Sequence, residues 1–380
     1  VMAKLGEICT FQSGGTPSKS NSEYFNGSIP WITTVALTGD YIDKNDAVDW
    51  ITDKAIQESA AKIVPENSIL VGTRVGIGKV AINTVPMSTS QDIVSLINVD
   101  DTEWDKRFLC KVISARNPYL LSQARGATIK GIKIDTLAKL EIPKIPLNEQ
   151  RRIAAVLDKV SDLIAKRREQ LAKLDELVKA RFVEIMQSVP LSKKLTIEEI
   201  TERVKVGFVG TCEKYYTDTD GVPMLRTGNI TDHGITLTDL KYVTREFHKK
   251  NKKSQIKSGD LLIARHGSNG QANVYNGPEA QCLNAVVIVP NQEIVKSEFL
   301  AALINSDVVK QQIEKTLVGS TQRVVNTKSI ANLIVRIPSL PIQNSYEDFV
   351  LQTDKSKLTI QQSLDKLEVL KKALMQQYFG

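Results

Sequence analysis

Between 148 and 187 the chain runs without Gly or Pro, and Ile153, Leu157, Val160, Ile164, Leu171, Leu174, Val178 and Ile185 recur at alternating steps of four and three. Arg167 and Arg181 fill the two remaining steps. This spacing draws one stripe along a helix, the seam of a coiled coil. Such a helix would be about 60 Å long, more than one small domain can cover, so the seam predicts a partner helix. Val350, Ile360, Leu364, Leu367, Leu374 and Tyr378 offer one, although Thr353, Lys357 and Lys371 interrupt their stripe. With a domain's length of sequence between them, the two helices are expected to pair antiparallel. The other reading is of two independent amphipathic helices, each packed on its own domain. Arg167 and Arg181 either snorkel from the seam or meet an acidic partner.

Outside these stretches the pattern is of short β-branched runs punctuated by turns, at 29–35, 69–71 and 93–99, followed by a helical pattern at 103–115. The second half repeats it at 261–264, 285–289 and 296–304. The copies align at several anchors. Gly27-Ser28-Ile29-Pro30-Trp31-Ile32 answers to Gly221-Val222-Pro223-Met224-Leu225, and Ile69-Leu70-Val71-Gly72 with Gly78 answers to Leu261-Leu262-Ile263-Ala264 with Gly270. Ile142-Pro143-Lys144-Ile145-Pro146-Leu147 matches Ile337-Pro338-Ser339-Leu340-Pro341-Ile342, and 174–180 matches 367–373. The fold class expected is α+β: two tandem α/β domains, 1–147 and 188–342, separated and joined by two long antiparallel coiled-coil helices, 148–187 and 343–380. Two similar domains on two similar rods suit a molecule that reads two similar things at a fixed separation.

The length of 380 residues fits two domains plus helices, and 42% hydrophobic with 24% charged residues is ordinary for a soluble globular chain. No apolar run reaches the roughly 18 residues of a membrane span. A net charge of +7 favours an anionic partner without requiring one. Cys9, Cys110, Cys212 and Cys282 lack metal or redox spacing, and no secretory signal precedes Lys4, so free thiols in the cytoplasm are expected.

The polar material gathers in loops. Thr73-Arg74-Val75-Gly76-Ile77-Gly78-Lys79 is matched by Arg265-His266-Gly267-Ser268-Asn269-Gly270-Gln271. Glycines admit a ligand close to the backbone, and Arg74, Lys79, Arg265, His266, Asn269 and Gln271 supply groups for phosphates or base edges. A second surface is Arg125, Thr128, Lys130 and Lys133, matched by Thr321, Gln322 and Arg323. A third is Thr33 and Thr34, whose counterparts are Arg226 and Thr227; the chemical difference at the first of the two positions is what two domains reading different sequences would require. Each surface taken alone also reads as a hairpin or loop with incidental charge. The densest charge is Arg245-Glu246-Phe247-His248-Lys249-Lys250-Asn251-Lys252-Lys253, a solvated face or a set of phosphate contacts.

Catalytic chemistry is not evident. Asn117-Pro118-Tyr119 lacks the second proline of the amino-methyltransferase motif, the Gly76 and Gly78 loop lacks a third glycine, and His233, His248 and His266 are not at zinc spacing.

The tandem organisation, the Lys4-Leu5-Gly6-Glu7-Ile8 opening with Ser13-Gly14-Gly15-Thr16-Pro17-Ser18, and the run Ile145-Pro146-Leu147-Asn148-Glu149-Gln150-Arg151-Arg152-Ile153 together resemble the type I restriction-modification specificity subunits, the HsdS family. In the second copy only the prolines of that last run are kept, with Gln343-Asn344-Ser345 following, so the two helix starts need not be equivalent. The resemblance implies that each domain is a target recognition domain binding one half of a bipartite, asymmetric site in double-stranded DNA. It implies that the helices dock two methyltransferase subunits, which carry S-adenosylmethionine, and that a motor-nuclease subunit joins to cut unmodified DNA. This chain would then be a non-catalytic subunit holding no cofactor or metal itself. A tandem DNA-binding repressor or architectural protein, and a stand-alone modification-nuclease fragment, remain the alternatives.

Overall fold

The computed structural model describes residues 1–126, 130–190, 194–231, 234–265, 270–317 and 325–380. The chain divides into two compact units, Val1–Arg168 with Ser363–Gly380, and Glu169–Gln362. Each of the two long helices, Leu147–Ser188 and Leu340–Phe379, therefore contributes a part to each unit.

In the first unit one sheet has the order Thr10–Ser13, Ile93–Ile97, Ile69–Gly72, Val80–Asn83, Tyr41–Ile42. A second has the order Asp49–Ile51, Phe25–Ile32, Met87–Thr89, Ile63–Val64. The second unit repeats the plan with Thr201–Val206, Ala285–Pro290, Leu261–Ala264, Ala272–Val274, and with Lys241–Val243, Val222–Leu225, Ala280–Cys282, Gln255–Ile256. Even the parallel pairing recurs, Ile32 opposite Thr89 and Leu225 opposite Cys282, among mostly antiparallel neighbours. Ile69, Leu70 and Val71, like Leu261, Leu262 and Ile263, are wholly buried, which is why these runs are continuous and not alternating. The strand expected at 29–35 ends at Ile32, because Thr33 and Thr34 accept from Ala36 and Leu37 in a turn that leaves Val35 exposed.

The family-like opening has a structural cause. A side chain on Gly14 would begin 2.2 Å from the Ser90 carbonyl oxygen, and one on Gly15 would begin 2.1 Å from that of Ala60. Only glycine allows this approach, which lets Gly15 accept from Trp31 Nε1 at 3.1 Å. The Lys4–Ile8 segment forms a short helix, Leu5–Ile8, with Glu7 accepting from the Lys4 N–H at 3.1 Å. Ile197–Ile200 repeats it, with Glu199 accepting from the Thr196 N–H at 2.6 Å.

The seam of the central helix is used from both ends. Ile153, Leu157, Val160 and Ile164 are buried, and Ile153, Ala154 and Leu157 pack in the first unit's core with Phe108 and Phe379. In the second unit Phe182 and Ile185 pack with Phe299, Tyr346 and Val350. Within the first unit Arg168 pairs with Glu368 at 2.7 Å while Ile153 shares a core with Phe379, and within the second Asp175 pairs with Lys357 at 2.6 Å while Phe182 meets Tyr346. In both, the helices run antiparallel. Three details differ from the seam read off the sequence. Phe379, with Tyr378 only partly buried, is the residue that closes the first core, and Phe182, off the four-three stride, is buried where Arg181 is not. Thr353 is buried with its hydroxyl donating to the Phe349 carbonyl at 2.8 Å, so it does not break the stripe.

The helix starts are also equivalent, but not by their prolines. The central helix begins just after Pro146, whereas the second begins just before Pro341, which sits in its first turn, where a missing N–H costs nothing. That offset brings Gln343 to the place of Gln150. Gln150 accepts from the Asp105 N–H and donates to the carbonyls of Glu103 and Ile145, all at 2.9 Å. Gln343 accepts from the Lys296 N–H at 2.8 Å and donates to Ile294 and Pro338 at 3.1 and 2.9 Å.

Candidate nucleic-acid interface

In the first unit two of the three sequence surfaces become one. The loop after Ile69–Gly72 is a tight turn in which Gly78 and Lys79 donate to Gly72 and Gly76, and Gly78 has a φ of +76° that favours glycine. Arg125 and Gly131 exchange backbone bonds at 3.0 and 2.9 Å, and Ile132 then donates to the Thr73 carbonyl at 2.8 Å. A side chain on Gly131 would meet Arg74 Cγ at 3.0 Å, so Gly131 lies close against the Arg74 turn. Arg74, Lys79, Arg125, Lys130 and Lys133 are all exposed on this joined surface. Asp92 answers Arg74, standing 3.7 Å from its Nη1. Thr33 and Thr34 connect to the same place through the backbone. Ile32 accepts from the Ser90 N–H, and Asp92 accepts from Thr73 N–H, at 2.8 Å each. Thr34 is itself buried and Thr33 half-buried, so of this pair Thr33 is the one with accessible surface.

The second unit builds the same scaffold with different side chains. Leu225 accepts from the Leu283 N–H at 2.8 Å, and the next residue, Asn284, accepts from Arg265 Nη1 at 3.0 Å. Asn284 thus stands where Asp92 does, each just before its strand, while Arg265 follows its own strand in the place of Thr73, one residue before the place of Arg74. Arg226 lies beyond Leu225, its Nη2 donating to the Asp239 carbonyl at 3.2 Å, and Thr227 begins the short turn that follows. Asn229, buried, accepts from the Arg226 N–H and donates to the carbonyls of Thr236 and Thr238, fixing that turn. The Nε atoms of Arg226 and Arg265 are buried without an acceptor among the described residues. Gln271 accepts from Lys310 Nζ at 2.9 Å. Thr128, His266, Asn269, Thr321, Gln322 and Arg323 lie outside the described residues.

The sequence reading missed Asp92, Asn284 and Asn229, which position the arginines. The first two could have been found by extending the repeat anchors, since each lies just before the strand that follows. Among the described residues no three His, Cys, Asp or Glu side chains converge to hold a metal ion, and no helix is long and apolar enough to cross a membrane. Burial pushes the thiols of Cys110 and Cys282 up to about 12. Asn117-Pro118-Tyr119 opens the short helix Asn117–Ser122, and a side chain on Gly78 would collide with Asn117.

The model of the type I restriction modification DNA specificity domain matches this chain twice, over residues 1–175 and 195–371. The chain belongs to that family. The two matched stretches each contain one copy of the double-sheet plan and a part of a long helix. Among related specificity subunits, the MjaIX subunit of Methanocaldococcus jannaschii is 24% identical over 393 residues, covering 98% of this chain and 90% of that protein. The EcoR124I/EcoR124II specificity subunit of Escherichia coli is 34% identical over 166 residues, 42% of this chain and 40% of that one. The crystal structure of the type I restriction-modification S subunit from M. genitalium shares the fold, with a TM-score of 0.59 at 16% identity, covering 100% of this chain and 96% of that one. This specificity-family chain therefore has the mixed helix and sheet architecture of tandem specificity domains, with its two long helices packed together inside each unit.

Proposed function

We propose that this chain is the sequence-reading subunit of a type I restriction-modification assembly, each unit reading one half of a bipartite, asymmetric site in double-stranded DNA. The observation that carries this is the pair of equivalent loop surfaces built on one sheet plan but armed differently, Arg74 beside Asp92 in one and Arg265 beside Asn284 in the other. A shared scaffold sets the same depth of approach to a groove, and different side chains on it select different base edges. In this reading the outward faces of the long helices dock two methyltransferase subunits, which hold S-adenosylmethionine and modify adenine, and a motor-nuclease subunit completes the restriction complex. The chain itself performs no chemistry and works in the cytoplasm with its partners.

The test is co-expression with the cognate methyltransferase chain and methylation mapping of genomic DNA. Two short constant sequences at a constant gap are expected, absent without this chain. Methylation at unrelated positions, or binding of S-adenosylmethionine by this chain alone in equilibrium dialysis, would sink the reading.

A further inference from the structure

A basic cleft in the second unit has no part in the loops described above. One wall is the segment 206–209, and the other is 249–254, bearing Lys249, Lys250, Lys252 and Lys253. The walls are held at a fixed distance. Phe208 and Phe247 meet edge to face with centroids 5.0 Å apart, and Lys205 Nζ donates to the Gln255 carbonyl at 2.6 Å. The lysine-bearing loop is tied from beneath by Gln281, wholly buried, which donates to the carbonyls of His248 and Asn251 at 3.3 Å each and accepts from Ser254 Oγ. The backbone is thus rigid while four exposed ammonium groups project from it.

Neighbouring charges are matched and these four are not. Arg245 pairs with Asp220 at 2.7 Å and His248 with Glu279 at 3.2 Å. Among the described residues, no carboxylate lies within salt-bridge distance of Lys249, Lys250, Lys252 or Lys253. Nor does the fold require them. In the first unit Thr52 caps the helix Asp53–Glu58 as Thr244 caps Arg245–Lys250, yet that helix carries Asp53, Lys54 and Glu58, with Lys54 paired to Glu23.

We propose that this cleft seats a phosphodiester backbone of double-stranded DNA, anchoring the second unit, and not the first, through charge alone. The proposal rests on the DNA-reading role above and adds where the polyanion is held. Identical point charges on a fixed loop carry no hydrogen-bonding pattern to distinguish bases, but they match the uniform charge of a phosphate strand.

The experiment uses the full chain assembled with its methyltransferase, titrated against a duplex carrying the mapped site and one of scrambled sequence, at salt from about 50 to 200 mM. Changing Lys249, Lys250, Lys252 and Lys253 to Gln together should lower the log-log salt slope by about 0.9 for each phosphate that is no longer neutralised, equally on both duplexes. The methylated sequence should stay the same. The fourfold Lys→Arg variant should keep the original slope, and Lys54→Gln should leave it unchanged. An unaltered slope in the Gln variant, while the unsubstituted assembly binds and methylates its site, overturns the cleft assignment alone. So does loss of methyltransferase assembly with an unaltered slope, which would assign the cleft to an acidic protein surface. Failure of the unsubstituted assembly to bind or methylate a specific site removes the DNA-reading proposal first, and this inference with it.

Discussion

Gln150 and Gln343 make the same set of three hydrogen bonds at equivalent places in the two units, and both are wholly buried. Each side-chain amide joins the start of a long helix to the residue that caps a shorter helix of the same domain, Asp105 or Lys296. An amide suits this place because it presents one acceptor and two donors at once, which neither a carboxylate nor an alkyl chain can do.

Gln150→Leu should therefore destabilise the first unit by about 2–4 kcal/mol, since it removes a wholly buried amide and the three hydrogen bonds it makes to the Asp105 N–H and the Glu103 and Ile145 carbonyls. Gln343→Leu should do the same to the second. Hydrogen exchange at the starts of the two long helices checks this. Each variant is expected to speed exchange in its own unit, and an unchanged rate would show that the amide does not hold the helix.

Arg74→Ala should relax selectivity at one half-site by about 1–3 kcal/mol and leave the other half untouched. Asp92→Asn should act in the same half-site, because it removes the carboxylate 3.7 Å from Arg74. Arg265→Ala and Asn284→Ala should act together on the other half. Methylation mapping of the four variants distinguishes them, and equal loss in both halves would contradict modular reading.

Glu298 makes the second unit's stability depend on pH. Burial pushes its carboxyl up to about 7, and Asp354 and Glu347 on the C-terminal helix add to the effect. A carboxyl whose folded pKa is raised favours folding fully only below its unfolded value, near 4.5, and that advantage is lost as pH rises through about 7. Glu298→Gln should therefore raise the thermal midpoint of the second unit at pH 8 relative to the parent, with the difference shrinking towards pH 4.5. A difference that is constant over this range would exclude the carboxyl as its source.

A heptad inserted in phase near Leu171 and matched near Leu364 should lengthen both helices by roughly 10 Å while keeping their stripes in register. In the proposed function, the gap between half-sites should then grow by up to about three base pairs, with the half-site sequences unchanged. An active assembly that keeps the original gap would show that the helices do not set the spacing.

The sequence by itself determined the repeat, the long helices with their apolar stripes, and the loops where polar residues collect. Each of these is written in local period or in near-identical anchors: buried runs such as Ile69-Leu70-Val71, the four-three stride from Ile153, and the glycines at Gly78 and Gly270. Tertiary structure decided what period cannot carry. Arg125 and Gly131 are brought to the Arg74 turn by a backbone bond distant in sequence, from Ile132 to Thr73, and by the close approach of Gly131 to Arg74. Phe182 and Phe379 leave the seam's stride because they answer the shapes of Phe299 and Phe108 on other helices. The equivalence of Gln150 and Gln343 was hidden because the prolines and the helix starts shift against each other, and a hydrogen-bonding amide is fixed by the carbonyls around it, not by its distance from a proline.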